Sequence, residues 1–169
     1  MNLIAAVTAD WGIGYKNQLL FHIPEDLQYF KEKTTGKVVI MGHNTFLSLP
    51  NQRPLPNRKN IVLSRKAGLE INGAQVYNSL EALEAALKDY APQDIFIIGG
   101  EQIYTQFLDR CDTAYVTKIN ASPTADAFFP NLDEIIGWEI VGEGAVEKSG
   151  GVEFRHIVYY NGRCSLNVQ

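Results

Sequence analysis

The stretch DIFIIGGEQIY, Asp94 to Tyr104, decides the fold. Asp94 to Ile98 is a short run that stays apolar instead of alternating, as a strand covered on both faces does. The pair Gly99-Gly100 then breaks the run, and a helical pattern follows over Gln102 to Leu108. The same order recurs upstream. Leu3 to Val7, Lys37 to Met41 and Asn60 to Leu63 read as buried strands, and Pro24 to Lys33, His43 to Leu49 and Ser79 to Lys88 as helices. Pro24 suits a first helical position, and Asn78 with Glu81 three residues on reads as a capping box. Strands alternating with helices predict an α/β fold in which parallel strands are joined by crossover helices. Downstream, Thr113 to Asn120, Trp138 to Gly142 and Glu153 to Tyr160 are strand-like with no helix of length between them. Antiparallel additions at a sheet edge are expected there.

At 169 residues and 46% hydrophobic, the chain suits a single domain over residues 1–169 that buries roughly 70% of its unfolded surface. No repeat, low-complexity tract or domain-splitting linker interrupts it; the loop Leu49 to Lys59, with Pro50, Pro54 and Pro56, is too short to be one. Net charge is −4 with both signs interspersed. No basic stripe suited to a phosphate backbone results, so a nucleic-acid partner is not expected. Cys111 and Cys164 lack metal-ligand spacing, so no metal is expected and both read as free, packed thiols in a reducing compartment. The N-terminal LIAAV run is too short for a signal segment and no run reaches membrane length. A soluble, cytoplasmic protein with no membrane partner is the expectation.

Three strand ends carry groups that suit a phosphorylated ligand. Gly99-Gly100 lets a ligand approach the backbone next to a helix start. Gly42-His43-Asn44-Thr45 and Ser64-Arg65 follow two further strands. Ligands of doubly wound sheets bind outside the carboxyl ends of strands, so the three ends could surround one dinucleotide. Singly, each has a plainer reading as a turn, a cap or a solvated charge. Gly12-Ile-Gly14 imitates the opening of a dinucleotide fingerprint, but Asn17 replaces its third glycine and the next helix waits until Pro24. A turn or a mobile lid fits better.

Helix Pro24 to Lys33 carries Glu25 and Asp26 in its first turn, where the helix dipole favours a carboxylate by roughly 0.3 to 1 kcal/mol. That accounts for Glu25. Asp26 shares a face with Phe30 and adjoins Leu27, so the apolar side of this helix holds an acid that needs hydrogen-bonding partners. His22 precedes the helix without a nucleophile nearby and reads as a surface histidine. In the loop, Arg53-Pro-Leu-Pro-Asn-Arg58 sets two guanidinium groups around a stiff segment suited to binding carboxylates.

Together, LIAAVTADWGIG, FHIPEDLQYFK, VVIMGHNTF, RPLPNRKNIVLS, IIGGEQIY, YVTKI and DAFFP resemble dihydrofolate reductase of the bacterial chromosomal type, over nearly the whole chain. The resemblance implies a mixed, mostly parallel eight-stranded sheet flanked by four helices. It also implies reduction of 7,8-dihydrofolate to tetrahydrofolate by hydride from NADPH, feeding one-carbon metabolism, in a monomer. Asp26 matches the acid that orients the pterin ring, and Thr117 matches the residue bonded to that acid through its hydroxyl. Leu27, Phe30 and Leu55 match pterin and benzoyl contacts, Arg58 matches the partner of the glutamate α-carboxylate, and Arg53 matches a looser rim contact. Ile4 and Ile98 match carbonyls facing the pterin amino group, with Ala6 between the two ligands and Tyr104 near the nicotinamide.

For the cofactor, the resemblance implies Gly42, His43, Asn44 and Thr45 on one strand end and Leu63, Ser64 and Arg65 on the next. On the third it implies Ile98, a cis peptide at Gly99-Gly100, and Glu101, Gln102, Ile103 and Tyr104. Ile13, Asn17 and Leu19 match a mobile lid, steadied by Asp126. Leu20-Phe21 stands where the family usually has Pro-Trp, and phenylalanine cannot donate the indole hydrogen bond to a water; a different proton route or lid is expected. His43 stands where arginine is common, and Arg65 is expected to supply charge for the 2′-phosphate. Two alternatives stay open: a same-fold pyrimidine reductase of riboflavin synthesis, against which Asp26, Phe30 and Arg58 argue, and a non-catalytic pterin or nucleotide-binding module.

Overall fold

A computed structural model describes residues 1–164 of the chain. In chain order the strands and helices are β1 Asn2–Val7, β2 Gly12–Tyr15, β3 Gln18–Leu19, α1 Pro24–Thr34, β4 Val38–Gly42, α2 His43–Ser48, β5 Lys59–Leu63 and β6 Ala74–Tyr77. There follow α3 Leu80–Leu87, β7 Ile95–Gly99, α4 Glu101–Phe107, β8 Thr113–Ile119, β9 Ala127–Phe128, β10 Trp138–Glu143, β11 Glu147–Ser149 and β12 Val152–Asn161. The predicted strands and helices are all present, with ends moved by one or two residues.

The main sheet runs β10-β12-β8-β1-β7-β4-β5-β6, with β11 paired to β12, and β3-β2-β9 forms a small separate sheet. The eight strands of the main path and the four helices match the expected fold. The five strands β1, β4, β5, β6 and β7 are parallel. β8 also runs parallel to β1, so Thr113–Ile119 is not the antiparallel edge addition expected of it. An apolar run reports burial but not direction, which here follows from the crossover that α4 makes from β7. β12 is antiparallel to both β8 and β10, as expected of the last strands.

Alternation along the buried strands divides the core in two. Leu3, Ile40, Ile61 and Ile97 face one side, where α3 and α4 add Leu83, Leu87, Ile103 and Phe107. Ile4, Val39, Met41, Val62 and Phe96 face the other, covered by Phe46 of α2 and Phe30 of α1. Each strand therefore reads as continuously apolar, and helices are needed on both sides. Pro24 opens α1, with Glu25 and Asp26 in its first turn and Lys31 and Lys33 in its last. The cap of α3 is Ser79, whose Oγ accepts from the Ala82 amide at 3.1 Å. The Asn78 capping box is thus corrected: the Asn78 amide instead donates to the Ser64 and Lys66 carbonyls. Cys111 is buried, Cys164 is partly exposed, and both thiols are free. Asn161, at the end of β12, is buried and hydrogen-bonded; residues 165–169 lie outside the described segment.

Candidate active site

The parallel strands end on one edge of the sheet. Gly42 pairs with Leu63 across β4 and β5, and Gly99 pairs with Met41 across β7 and β4. This register brings the three predicted strand ends side by side. Between them lies a cavity of about 750 Å³ lined by Gly42, His43, Asn44 and Thr45, by Leu63, Ser64 and Arg65, and by Gly100, Glu101, Gln102 and Ile103. Asn17 of the hairpin joins them, as do Asn78, Ser79, Leu80, Gln106 and Ala127, which sequence reasoning missed. The signal for Asn78 and Ser79 was absorbed by the helix cap.

A smaller cavity of about 140 Å³ continues the cleft, sharing Thr45 and Gly100 with the larger one. Ala6, Ile13, Leu19, Ile98, Gly99 and Tyr104 line it, together with the unpredicted Ala5, Ser48 and Ala127. The Gly99-Gly100 peptide is cis, and Gly99 has φ +122°. A Cβ on Gly99 would fall 3.3 Å from the Tyr104 ring, and one on Gly100 3.3 Å from Thr45 Oγ1, so side chains here would fill the cleft. Gly12 and Gly14 lie on β2, whose partner is a hairpin strand instead of a helix. At the hairpin tip, the Lys16 amide donates to Asp126 Oδ2 and the Asp126 amide to the Gly14 carbonyl, each at 3.0 Å.

The acid lines neither of these two cavities, and nor do Leu27, Phe30, Arg53, Leu55, Arg58 and Thr117. The Thr117 hydroxyl donates to Asp26 Oδ1 at 2.6 Å, tying α1 to β8. The Asp26 side chain is 18% exposed. Burial raises its pKa above the ordinary carboxylate value, against the lowering effects of the Thr117 hydroxyl and the charge of His156. Along the same helix face, Phe30 packs against the buried cluster that contains Ile4, as do Leu49, Leu55 and Ile98. Leu27 is more exposed, at 38%. The Tyr104 hydroxyl donates to the Ile4 carbonyl at 2.7 Å, leaving that oxygen a second lone pair.

At the far end of the helix Arg58 Nη1 donates to Thr34 Oγ1 at 3.2 Å, and Nε to the Pro56 carbonyl at 2.8 Å. Burial lowers the guanidinium pKa from its ordinary value, and arginine remains charged at any working pH. Asp26 and Thr34 are eight positions apart, roughly 12 Å along a helix. An apolar wall therefore separates an acid from a cation, a spacing suited to a flat polar ring at one end and a carboxylate at the other. Arg53 is exposed on the rim, and His22 is exposed and outside the site. Phe21 packs against the buried cluster of Ile23, Ile119 and Phe154. Sequence reasoning missed His156 and Tyr29, whose rings stack beside the acid.

Among the described residues no group of histidines, cysteines and carboxylates could hold a metal ion, and no helix is long and apolar enough to cross a membrane. Comparison with known proteins agrees with the geometry. The family model described as dihydrofolate reductase matches residues 1–161. The dihydrofolate reductase of Bacillus subtilis (strain 168) is 37% identical over 161 residues, covering 94% of this chain and 93% of that protein. That of Haemophilus influenzae is 41% identical over 138 residues, 82% of this chain and 81% of that protein. That of Staphylococcus aureus is 33% identical over 150 residues, 86% and 89% of the two chains. An acid anchored by threonine, a cation two turns along its helix and a glycine-walled cleft at the strand ends thus accompany full-length similarity, and the chain belongs to the dihydrofolate reductase family of oxidoreductase enzymes.

Proposed function

We propose that this enzyme reduces 7,8-dihydrofolate to 5,6,7,8-tetrahydrofolate with NADPH as hydride source, and so supplies one-carbon metabolism. The observation that carries the reading is Asp26: a largely buried carboxylate, bonded to Thr117, on the helix whose far end meets Arg58.

Asp26 accepts hydrogen bonds from the pterin amino group and the adjacent ring nitrogen, which orients the ring. Its negative charge favours protonation of the substrate's imine nitrogen, and a protonated imine makes the neighbouring carbon a better hydride acceptor. The proton arrives through water. Phe21 supplies no hydrogen-bond donor to hold that water, so its route differs from one anchored by an indole. Phe30, Leu27 and Leu55 pack against the pterin and benzoyl rings. Arg58 pairs with the glutamate carboxylate, and the exposed Arg53 adds a weak contact at the rim.

The donor set of the larger cavity fits a phosphorylated dinucleotide. His43, Thr45, Ser64 and Arg65 bring cationic and hydroxyl groups to walls narrowed by Gly42 and Gly100. When bound, NADPH supplies the hydride. Arg65 and Ser64 would hold its 2′-phosphate, and Gly99, Gly100 and Tyr104 would border its nicotinamide end. Asn17, Leu19 and Ile13 would cover that end and exclude water. Two free thiols support a reducing, cytoplasmic setting.

The test is NADPH oxidation in the presence of dihydrofolate, followed from acid to alkaline pH for the native chain and Asp26→Asn. The native chain turns over; the variant loses about 100-fold or more at neutral pH and recovers toward acid, where substrate arrives protonated. A native chain that binds both ligands without turnover overturns the reading.

A further inference from the structure

β12 places a histidine directly behind the acid. His156 is the cross-strand partner of Thr117, and its Nδ1 lies 2.8 Å from Thr117 Oγ1. The same hydroxyl donates to Asp26 Oδ1. A hydroxyl has one proton to give, so while it donates to the carboxylate it must accept from the ring. The bonding therefore fixes the tautomer: Nδ1–H donates to Oγ1, and Oγ1–H donates to Oδ1. The ring itself has little freedom. Tyr29 of α1 stacks on it with centroids 3.8 Å apart and planes at 17°, and Phe154 meets it edge-on at 5.8 Å.

Charged and titratable groups approach the ring from every side. From α1 come Asp26, with Oδ1 3.9 Å from Nδ1, and Tyr29, whose ring has Lys33 5.5 Å from its centroid. β11 brings Glu147, with Oε2 3.7 Å from Nε2. Tyr115 of β8 is engaged by Lys33 at 4.7 Å. Glu25 is hydrogen-bonded to Ser149 of β11. On β12 itself Arg155 is turned to the Gly144 carbonyl and Glu153 is paired with Lys148. The two charged groups nearest the ring nitrogens are thus carboxylates.

We propose that His156 is a positioning residue for Asp26: acting through the Thr117 hydroxyl it fixes the direction of the hydrogen bond that the acid accepts, and its ring lies close enough to act on the carboxylate's charge. The proposal rests on the reading of Asp26 as the substrate-orienting acid. The sign follows from the neighbours. Burial raises the Asp26 pKa and the charge of His156 opposes that rise, so removing the ring lets the acid hold its proton to higher pH. Asparagine can present its amide nitrogen near the position of Nδ1, which keeps the donor to Thr117 and discards the charge.

The experiment titrates the Asp26 carboxyl by NMR in the full-length protein carrying ¹³C-carboxyl aspartate, with Asp26→Asn assigning the signal. Native, His156→Asn and His156→Leu proteins are compared, together with the pH dependence of kcat/KM. Both variants move the carboxyl midpoint up by about one pH unit. At alkaline pH, where Asp26 is ionised in every protein, His156→Asn keeps kcat/KM within about threefold and His156→Leu loses about tenfold, as expected when the hydroxyl's bond to a charged carboxylate is no longer held in direction. An unmoved midpoint in a folded His156→Asn protein overturns the proposal, as does an equal loss in both variants at every pH. A shifted midpoint in a protein that never turns over supports the coupling and overturns the reductase reading instead.

Discussion

The Asn17 side-chain amide donates to the Asn44 carbonyl at 3.0 Å, so the tip of the β2-β3 hairpin is tied across the cleft to the first turn of α2. Asn17 has φ +61°, and its neighbour Lys16 φ +48°. The left-handed turn that asparagine tolerates aims its amide at that carbonyl. The contact is exposed and single, of a strength that lets a hairpin open as well as close. Asn17→Ala is expected to weaken NADPH binding about three- to tenfold, the equivalent of one neutral hydrogen bond. Fluorescence titration of the cofactor checks it, with Lys16→Ala as a control that keeps the backbone bond to Asp126.

The Asp26 carboxyl has a linkage consequence for stability. Its folded pKa is raised by burial, so between the unfolded and folded values the native state binds more protons than the unfolded chain. Stability associated with this group is therefore present at low pH and lost as pH rises through the folded pKa. Asp26→Asn removes that loss. The variant is expected to melt above the native protein at neutral pH, with the difference closing as pH falls below the ordinary carboxylate range. Calorimetry across pH measures it, and a variant less stable at pH 7 would contradict the assignment of a desolvated acid.

Arg58 and Arg53 flank the same proline-fixed loop but differ in anchoring. Arg58 is held by Thr34 and the Pro56 carbonyl, whereas Arg53 is exposed. Arg58→Leu is expected to raise the dihydrofolate KM about 10- to 100-fold with kcat largely kept, as for a charged hydrogen bond made equally before and during reaction. Arg53→Leu should change KM by less than about threefold. Steady-state kinetics on both variants separates the roles.

Arg65 and His43 share the wall of the larger cavity with Ser64. Arg65→Gln is expected to lower the preference for NADPH over NADH about tenfold, by losing a charged contact to the extra phosphate. His43→Gln should have a smaller effect than Arg65→Gln, since arginine offers a permanent, forked charge. The ratio of kcat/KM values for the two cofactors is the readout.

The parts of the fold that could be read from residues are those where burial imposes a run. IAAV, VVIM, NIVL and IFII are each covered on both sides, so they carry few polar interruptions. β6, AQVY, is only partly buried at the sheet edge and carries no such run. β2, β3, β9 and β11 are two to four residues long and lie below any periodic signal. Within the site, Asp26 was readable because a helix face displays it beside Phe30, and Gly99-Gly100 because it stands between a strand and a helix. Thr117 was reached through family resemblance alone. His156 was not reached at all: its position behind the acid comes from the pairing of β12 with β8, which no local pattern encodes.

The place of β7 between β1 and β4 has a consequence for how the chain matures. As the polypeptide is made from its N-terminus, β1 and β4 emerge long before the strand that joins them, and until then each has an unpaired edge open to wrong partners. The first half of the chain supplies Asp26, Arg58, Gly42 and Ser64; the second supplies Gly99, Tyr104, Thr117 and His156. A fragment ending ahead of Ile95 lacks the Gly99, Gly100 and Tyr104 side of the cleft and the Thr117 partner of Asp26. Ligand binding during synthesis or refolding therefore reports completion of the sheet around the cleft, and a tight active-site ligand would act as a trap for finished molecules without rescuing partial ones.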